Sequence, residues 1–596
     1  MIEQLRDFYD EIWAADFEYS TGATEADPPK PICVVGVELF SGRTVRTWLD
    51  GGAGVPPPCP FNITDRTLYL AYYASAEISC HLALEWPIPN RILDLYAEYR
   101  GIVNSDPVLA KLPRDKDIGK FSLSACLHTH GLHQFAIDPE HKTRMRNLCI
   151  RGGPYTHNEM EDLLKYCESD VIALQHLFPK MLSKINLGHA LLRGRYMASV
   201  GAIERRGVPV NLELAKKLQS NWDDVISCLI ERKRPEFDII KNKDIDQPKF
   251  RDWLTQHDLL NAWPRTITGF CTDKDTLKKL SKIYPIVGEL KEFLGTIRKS
   301  RLFDTLLFGS DGYNRTLLST FASITGRNQP STSKGVFGPS CWVRHLIKPP
   351  PGFALLYCDW SGQEYGIAAY LSTDEQMIAD YESGDPYLAF AKRFNRAPAY
   401  ATKASHPQLR EQMKVALGLG VLYGARPATI SKAGQMSLLE AASALRAHEQ
   451  TYRKFWRWRE QVIDTARLRG HLQTCYGWRW AVTGADTTSS ISNWLMQAHG
   501  AEMMRLACCL AVENRVQVCL TVHDALLVMC PVDEIEQTRA LTVKCMEDAS
   551  SHVLNGPKLR VGVEEPVVYP NSYCDKRGEQ MFAGILSILQ EIEGAE

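Results

Sequence analysis

The length of the chain is the feature that most limits how it can fold. With 596 residues, it exceeds the size at which a single hydrophobic core stops growing, so we expect roughly three to five domains of ~100–200 residues. The sequence contains no repeat at a fixed period and no low-complexity tract, which argues against a solenoid or a long tail. The sequence therefore predicts several compact domains.

Composition and charge exclude several classes of protein. Hydrophobic residues make up 45% of the chain and charged residues 23%, as in ordinary globular proteins. No run approaches the ~18 apolar residues of a membrane span, and Met1–Trp13 lacks the features of a signal peptide, so we expect a cytoplasmic protein without a membrane partner.

The 17 cysteines form no CxxC pair, which predicts reduced, mostly buried thiols. With a net charge of −1, any surface that binds nucleic acid must be locally basic.

Apolar periodicity divides the chain into three stretches. Up to about His176, helical patterns alternate with strand-like runs, as in an α/β domain; these runs are Ile12–Phe17, Ile32–Leu39 and Thr67–Tyr73. From Leu182 to about Leu307 the pattern is mostly helical, with Lys and Arg spread along it, which predicts a helical arm. After the polar break Ser310–Asn314, strands and helices mix again.

Two short acidic patterns in the first stretch predict a metal site. Asp16 and Glu18 flank Phe17 in a strand-like run, so strand alternation places both carboxylates on one face. Tyr166 and Asp170 lie one helical turn apart and also share a face. Cleavage of a phosphodiester with two divalent ions needs several carboxylates and a group that orients the attacking water. Taken alone, each pattern is more often surface charge or a helix cap.

A second pair of aspartates lies at the ends of strand-like runs in the last stretch. Phe353–Cys358 leads into Asp359, where a charge is costly unless it is paired or binds a metal. Val516–Val522 and Leu526–Met529 are joined around Asp524, which is predicted to lie on a hairpin turn.

A helical stretch between these aspartates carries two cations. Arg410 and Lys414 are four residues apart, and the stretch runs on to Tyr423-Gly424. One face therefore presents both cations, either to a triphosphate or simply to solvent.

Taken in order, these residues resemble the motifs of family A DNA polymerases. Asp359 resembles motif A, the segment from Arg410 to Tyr423-Gly424 resembles motif B, and His523-Asp524 resembles motif C. Further segments that fit the family are Ile203–Val210 at the entry to the thumb, Thr325-Gly326-Arg327, Tyr476–Arg479 and Asn493–Gln497.

The N-terminal set resembles the DEDDy 3′→5′ proofreading exonucleases. Asp16 and Glu18 match the first motif, and Tyr166 and Asp170 match the third. The best candidate for the second motif is Glu77, where the family has an aspartate, and Asp94 follows after a family-like gap. An exonuclease fold that is kept only as a scaffold is the alternative.

The resemblance implies an α/β and α+β multidomain protein. An RNase H-like exonuclease domain is expected before a right-hand polymerase with palm, fingers and thumb. The expected boundaries are 1–181 for the exonuclease, 182–310 for the helical thumb, 311–372 and 470–596 for the palm, and 373–469 for the fingers.

The resemblance also implies roles for single residues. Asp359 and Asp524 would hold two Mg²⁺ ions, for which Mn²⁺ could substitute, and Glu364 would collide with a ribose 2′-OH. In the exonuclease, Asp16, Glu18, Glu77 and Asp170 would hold two further ions. The other implied contacts are Arg410, Lys414, Tyr423 and Tyr387 to the nucleotide, and Arg327, Asn493, Gln497 and His523 to DNA.

This sequence departs from the family pattern in each of the segments that resemble motifs A, B and C. The distance from Lys414 to Tyr423 is one residue longer than in the family. A π-bulge near Gly418 and Gly420 would absorb the extra residue and return Leu419 and Tyr423 to the nucleotide face, whereas a regular helix would contradict this hypothesis. The other departures are that Gln363 is shifted by one position, that Gly366 replaces a basic residue, and that Ala525 replaces an acidic one.

The predicted function is DNA-templated DNA synthesis with proofreading. The predicted partners are primer–template DNA, dNTPs and replication accessory proteins, and the protein is expected to be a monomer. Because the exonuclease pattern starts at Asp16, we expect a compact replication polymerase of the bacteriophage type, without a 5′-nuclease domain. Two alternatives stay open: a single-subunit RNA polymerase, against which Glu364 argues, and a catalytically inactive DNA-binding accessory protein.

Overall fold

The computed structural model describes residues 2–50, 56–111, 119–241, 244–267, 269–281, 283–299 and 301–595. The chain folds around two five-stranded sheets. Short 3-10 helices span Glu3–Asp7, His133–Phe135, Cys341–Leu346 and Val532–Glu534.

The first stretch forms a mixed sheet flanked by helices. Its strands are β1 (Glu11–Ser20), β2 (Lys30–Glu38), β3 (Thr44–Trp48), β4 (Thr67–Ala71) and β5 (Ile92–Asp94). Its helices are α1 (Ser75–Ala83), α2 (Leu95–Ser105), α3 (Pro107–Lys111), α4 (Leu123–Thr129), α5 (Pro139–Arg151) and α6 (His157–Leu182). The strand order is β3-β2-β1-β4-β5; β2 is antiparallel to β1 and β3, whereas β1, β4 and β5 are parallel. The three predicted strands are confirmed, and β3 was missed because it is a short strand with mostly exposed or half-buried residues.

Alternate residues of β1 face opposite sides of this sheet. Trp13 packs into the core that contains α1, whereas Ile12 and Ala14 pack into the core that contains α6. Side chains alternate with a period of two along a strand. Asp16 and Glu18 therefore continue the row that faces α5 and α6.

The helical stretch has its own apolar core. Its helices are α7 (Leu187–Arg206), α8 (Leu212–Ser220), α9 (Trp222–Lys233), α10 (Gln247–Gln256), α11 (Lys274–Leu280), α12 (Pro285–Ile297) and α13 (Leu302–Thr305). Short strand pairs join β6 (Val208–Pro209) to β9 (Tyr313–Asn314), and β7 (Ile240–Lys241) to β8 (Asp244–Ile245). Helix α7 lies outside this core, where it packs against α1 and β5 of the first stretch and also against elements of the last stretch.

The second sheet is antiparallel and lies in the last stretch. Its strands are β10 (Phe353–Trp360), β13 (Gln517–Val522), β14 (Ala525–Pro531), β15 (Val561–Val563) and β16 (Val567–Val568). Their order is β13-β14-β10-β15, and β16 also pairs with β10. A small hairpin joins β11 (His471–Gln473) to β12 (Arg479–Ala481). The strand predicted to lead into Asp359 and the two strands predicted on either side of Asp524 are thus confirmed.

The last stretch also contains most of the helices of the chain that the structure describes after Leu346. They are α14 (Gln363–Ser372), α15 (Glu375–Glu382), α16 (Pro386–Arg393), α17 (Pro407–Met413), α18 (Gly420–Leu422), α19 (Pro427–Gly434), α20 (Leu438–Thr451), α21 (Arg453–Arg469), α22 (Thr488–Glu513), α23 (Ile535–Leu554) and α24 (Glu579–Ala595). Helix α24 packs against α9, so the end of the segment that was predicted as palm lies against the helical arm.

Two expectations from composition can be compared with the structure. All 17 cysteines lie within the described ranges as free thiols, and most of them are buried. None of the described helices combines the length and the apolarity that a membrane span requires.

A buried ion pair between α7 and α2 leads to a test of the fold. Arg193 donates to Glu98 through two nitrogens, at 2.6 and 2.8 Å. Because removal of one partner leaves a buried charge unpaired, we expect Glu98→Ala to lower the free energy of unfolding by about 3–5 kcal/mol in urea denaturation. The matched control Glu513→Ala removes the more exposed partner of Arg195 and should cost about 1 kcal/mol or less. Equal losses in the two variants would contradict this interpretation.

Candidate active sites

The ends of two neighbouring strands bring Asp359 and Asp524 together. Strand β10 pairs with β14 in a register that puts Asp359 opposite Ala525. His523 and Asp524 form the turn between β13 and β14, and His523 has a left-handed φ of 55°. The backbone N–H of Trp360 donates to the carbonyl oxygen of Asp524 at 3.3 Å. The hairpin position that was predicted for Asp524 is confirmed.

The two carboxyl groups touch and are largely buried. Burial raises the pKa of Asp359 to about 8, and the charge of Asp524 and a hydrogen bond to it add to the shift. Burial also raises the pKa of Asp524, while the charge of Arg327 lowers it. Among the described residues, Oδ1 of Asp359 is buried without a hydrogen-bond partner. Adjacent carboxylates with an unpaired oxygen fit a divalent cation, because Mg²⁺ prefers oxygen ligands and its charge offsets their repulsion.

Glu364 lies beside this pair. It occupies the first turn of α14, which begins after Gly362 in a left-handed conformation with φ of 64°. Glu364 accepts a hydrogen bond from Nη2 of Arg327 at 2.9 Å and another from the hydroxyl of Tyr423. Its negative charge also raises the pKa of Asp524. Residues from three distant segments therefore meet at one acidic centre.

A π-helix over Lys414–Leu419 interrupts the segment that resembles motif B. The predicted bulge near Gly418 is thereby confirmed. A π turn holds more residues than an α turn, so the extra residue is absorbed before Tyr423, whose hydroxyl reaches the acidic centre. Lys414 also faces this centre, since its charge lowers the pKa of Asp359.

Arg410 is held by an acidic residue that the sequence analysis missed. It forms an ion pair with Asp385, the N-cap residue of α16. The guanidinium lies 5.5 Å from the centre of the Tyr387 ring. A Cβ atom at Gly418 would come within 2.4 Å of that ring, so the glycine is required for this close packing. The signal for Asp385 was its place before a proline at the start of a helix.

The remaining predicted residues of this centre lie on two other elements. Gln497, on α22, lies close enough to Tyr423 to lower the pKa of its hydroxyl. Asn493 is half-buried one turn earlier, and His523 is exposed. The side chain of Leu419 lies outside the described residues.

The departures from the family pattern have structural counterparts. Gln363 is only 2% exposed, and its Nε2 has no hydrogen-bond partner in the described part of the chain. A Cβ atom at Gly366 would lie 2.7 Å from Leu559 and 3.0 Å from the ring of Tyr381, so a basic side chain does not fit there. The guanidinium of Arg560 instead lies 4.9 Å from the centre of that ring.

The row of β1 that faces α6 carries the second cluster of carboxylates. Burial raises the pKa of Asp16, and the charges of Asp170 and Glu18 add to the shift. Burial likewise raises the pKa of Glu18, and it raises the pKa of Asp170 to about 6. Burial and the charge of Asp170 raise the pKa of the Tyr166 hydroxyl. The structure thus brings together the residues that were predicted from two distant segments.

Glu77 and Asp94 differ in their surroundings. Glu77 is 3% exposed, and its pKa is raised by burial and then by the charge of Asp16. In the described part of the structure, Oε2 of Glu77 has no hydrogen-bond partner. Asp94 caps α2 by accepting from two backbone N–H groups in its first turn. Asp94 therefore has a structural role, whereas Glu77 belongs to the carboxylate cluster.

Two thiols at this cluster were not predicted as site residues. Cys149 donates to Oε2 of Glu18 at 3.5 Å, and Cys167 donates to the backbone oxygen of Asp16 at 3.1 Å. Their spacing follows no metal-ligand motif, so the sequence contained no signal for them.

The raised pKa of Asp359 leads to a test of stability. Since folding raises this pKa from about 4 to about 8, the folded state holds the proton more tightly, and this contribution to stability is lost as pH rises from about 4 to about 8. We expect Asp359→Asn to raise Tm in metal-free buffer by an amount that is smallest near pH 4 and grows toward pH 8, measured by calorimetry. The control Asp533→Asn alters an exposed carboxylate and should give no such trend. A Tm difference that is independent of pH would refute the assignment.

Comparison with known proteins gives relatives among bacterial DNA polymerases. The chain is 24% identical over 453 residues to DNA polymerase I of Aquifex aeolicus, covering 67% of this chain and 74% of that protein. It is 28% identical over 221 residues to the thermostable DNA polymerase I of Thermus thermophilus, covering 35% of this chain and 26% of that protein. The chain thus matches about a quarter of the length of the Thermus protein.

The fold resembles that of a solved structure, the POL domain of Pol1 from M. smegmatis in complex with DNA primer-template and dNTP. The TM-score is 0.64 at 18% sequence identity, and the match covers 94% of this chain and 96% of that one. A family model described as DNA polymerase family A matches residues 211–565. The matched segment contains the strands of Asp359 and Asp524 and the π-helix between them, and it makes up more than half of the chain. The chain therefore belongs to DNA polymerase family A.

Proposed function

We propose that this protein is a template-directed DNA polymerase that adds dNTPs to the 3′ end of a primer. The observation that carries the proposal is the contact between the buried carboxyl groups of Asp359 and Asp524, in a chain that belongs to DNA polymerase family A. The two aspartates would hold two Mg²⁺ ions. When bound, the ions would favour the primer 3′-oxyanion as nucleophile and stabilise charge on the pyrophosphate that leaves.

The π-helix segment would bind the nucleotide. Lys414 faces the aspartates, where a cation can hold the phosphates of a dNTP. Arg410 would exchange its ion pair with Asp385 for a phosphate, while the ring of Tyr387 keeps its guanidinium in place. Tyr423 would cover the nucleotide from the C-terminal end of the segment.

Glu364 would select deoxyribonucleotides. Arg327 and Tyr423 hold its carboxylate in one position, so a ribose 2′-OH would meet a fixed group that cannot retreat. Gln497 lies close to Tyr423 and would contact the nascent base pair together with Arg327. Asn493 and His523 would contact the template and the primer terminus.

The same proposal divides the chain into functional units. Residues 1–181 would form the exonuclease domain, 182–310 the thumb, 311–372 and 470–596 the palm, and 373–469 the fingers. The antiparallel sheet around β10 supports the assignment of the palm. The π-helix, together with helices α15 to α21, supports the assignment of the fingers. A role in the replication of bacteriophage DNA stays a prediction from the sequence resemblance.

We further propose that the N-terminal unit is a 3′→5′ exonuclease with an RNase H-like sheet. Asp16, Glu18, Glu77 and Asp170 would hold two divalent ions, because their burial and mutual repulsion favour a bound cation. Tyr166 lies one turn before Asp170, where its hydroxyl would orient the attacking water. Glu77 carries one more methylene than the aspartate of the family, and it lies in the first turn of α1.

Primer extension tests the polymerase. With Mg²⁺ and dNTPs, the wild type should extend a primed template, and Asp359→Asn and Asp524→Asn should each lower the rate by at least about a hundredfold, because each removes a carboxylate that holds metal. The matched control Asp533→Asn should extend at the wild-type rate. Equally poor extension by the wild type and Asp359→Asn would support an inactive accessory protein. Faster extension with rNTPs than with dNTPs would support an RNA polymerase.

Digestion of a mismatched primer without dNTPs tests the exonuclease. We expect Asp16→Ala to abolish digestion and Glu77→Gln to slow it by about tenfold or more, since each removes a charge that would hold metal. The matched control Asp162→Asn changes an exposed carboxylate on α6 and should digest like the wild type. If the wild type leaves the primer intact, the fold is only a scaffold. If Glu77→Gln digests at the wild-type rate, Glu77 has no role with the metal.

A further inference from the structure

Three thiols surround the carboxylates of β1 that face α6. Cys33 lies opposite Glu18 in the register of β1 and β2. Cys149, on α5, donates to the Glu18 carboxylate. Cys167, on α6, is completely buried and donates to the backbone oxygen of Asp16. Because Mg²⁺ binds oxygen ligands, a site for Mg²⁺ alone does not need sulfur atoms beside its carboxylates.

Cys167 lies close enough to two of these carboxylates to bind the same metal ion. Its sulfur atom and one carboxylate oxygen each from Asp16 and Glu18 all lie within 4.8 Å of one another. Ligand atoms on one tetrahedral zinc ion are roughly 3.6 Å apart, so small side-chain rotations would bring all three onto one ion. Cys167 also lies three residues before Asp170 on α6, and both therefore point toward the same cluster.

Two buried oxygens independently indicate that a cation belongs at this place. Oδ2 of Asp16 and Oε2 of Glu77 have no hydrogen-bond partner among the residues that the structure describes. Only 3% of the surface of Glu77 is exposed. Buried carboxylates without a partner are rare unless they bind a cation.

We propose that Asp16, Glu18 and Cys167 form a mixed carboxylate and thiolate site that prefers a thiophilic divalent cation such as Zn²⁺ to Mg²⁺. Thiolate sulfur is a good ligand for Zn²⁺, whereas Mg²⁺ takes oxygen. On binding, the Cys167 thiol releases its proton to solvent, and the sulfur donates an electron pair to the metal without any change in oxidation state. The inference deepens the proposed exonuclease site, whose activity would then depend on which ion is bound, but the binding itself is measured without nuclease activity.

Cadmium titration of the metal-free, full-length protein tests the inference. Cd²⁺ replaces Zn²⁺ at thiolate sites and gives an ultraviolet charge-transfer band. The wild type should show such a band with one ion per chain that is lost in both Cys167→Ser and Asp16→Ala, beyond any background from exposed thiols. Cys126→Ser is the matched control: Cys126 is an equally buried thiol of the same unit, directed at Met181, and its variant should keep the band.

The affinities add a second measurement. Cys167→Ser should weaken Cd²⁺ binding by at least about tenfold, and it should change the affinity for Mn²⁺, which takes oxygen ligands, by less. Zn²⁺ should displace Cd²⁺ from the wild type, and excess Mg²⁺ should not. If either variant folds poorly by circular dichroism, ¹¹³Cd NMR of the wild type decides between a shift typical of sulfur ligation and one typical of oxygen alone.

The outcomes separate this inference from the proposed exonuclease. A band that survives in Cys167→Ser or in Asp16→Ala overturns the inference, even if the wild type digests DNA. A band that needs both residues supports it, even if Asp16→Ala and the wild type leave the mismatched primer equally intact, in which case the exonuclease proposal alone fails.

Discussion

The contact between the carboxyl groups of Asp359 and Asp524 is the constraint around which the last two thirds of the structure are arranged. The register of β10 and β14 places Asp359 opposite Ala525, and the tight turn through His523 and Asp524 brings the second carboxyl group beside the first. Burial raises the pKa of both groups, and the charge of Asp524 adds to the shift of Asp359. The surrounding cations lower these pKa values: Lys414 comes from the π-helix, and Arg327 from the loop before β10. Elements that are distant in sequence therefore meet where the two charges need compensation.

The N-terminal unit is joined to this centre by side chains of α2 that donate hydrogen bonds to backbone carbonyl groups. Asn104 donates to the carbonyl oxygens of Ile324 and Arg479, at 2.9 and 2.7 Å. Arg100 donates to the carbonyl oxygen of Phe321. The loop held in this way continues into Arg327, which contacts Glu364. The position of Arg327 thus depends on the packing of the N-terminal sheet through α2, although the two carboxylate clusters belong to different sheets.

Much of both candidate sites could be predicted from periodicity. A period of two along β1 placed Asp16 and Glu18 on one face, and burial of alternate residues toward α6 agrees with this. Counting residues between Lys414 and Tyr423 predicted a bulge, and a π-helix is present. In each case the chemistry is local, since it depends only on spacing along one element.

The sequence by itself determined which carboxylates share a face of β1 and where the second pair of aspartates ends its strands, and the extra residue before Tyr423 predicted a π-bulge. Only the tertiary structure decided that Asp385 holds Arg410, that Asp94 caps α2, and that Cys167 lies beside Asp16. These contacts join residues from separate elements, and their identity depends on how sheets and helices pack. Periodicity describes the faces of one element, whereas the partner of a buried charge or thiol is whatever side chain the packing brings within a few ångströms.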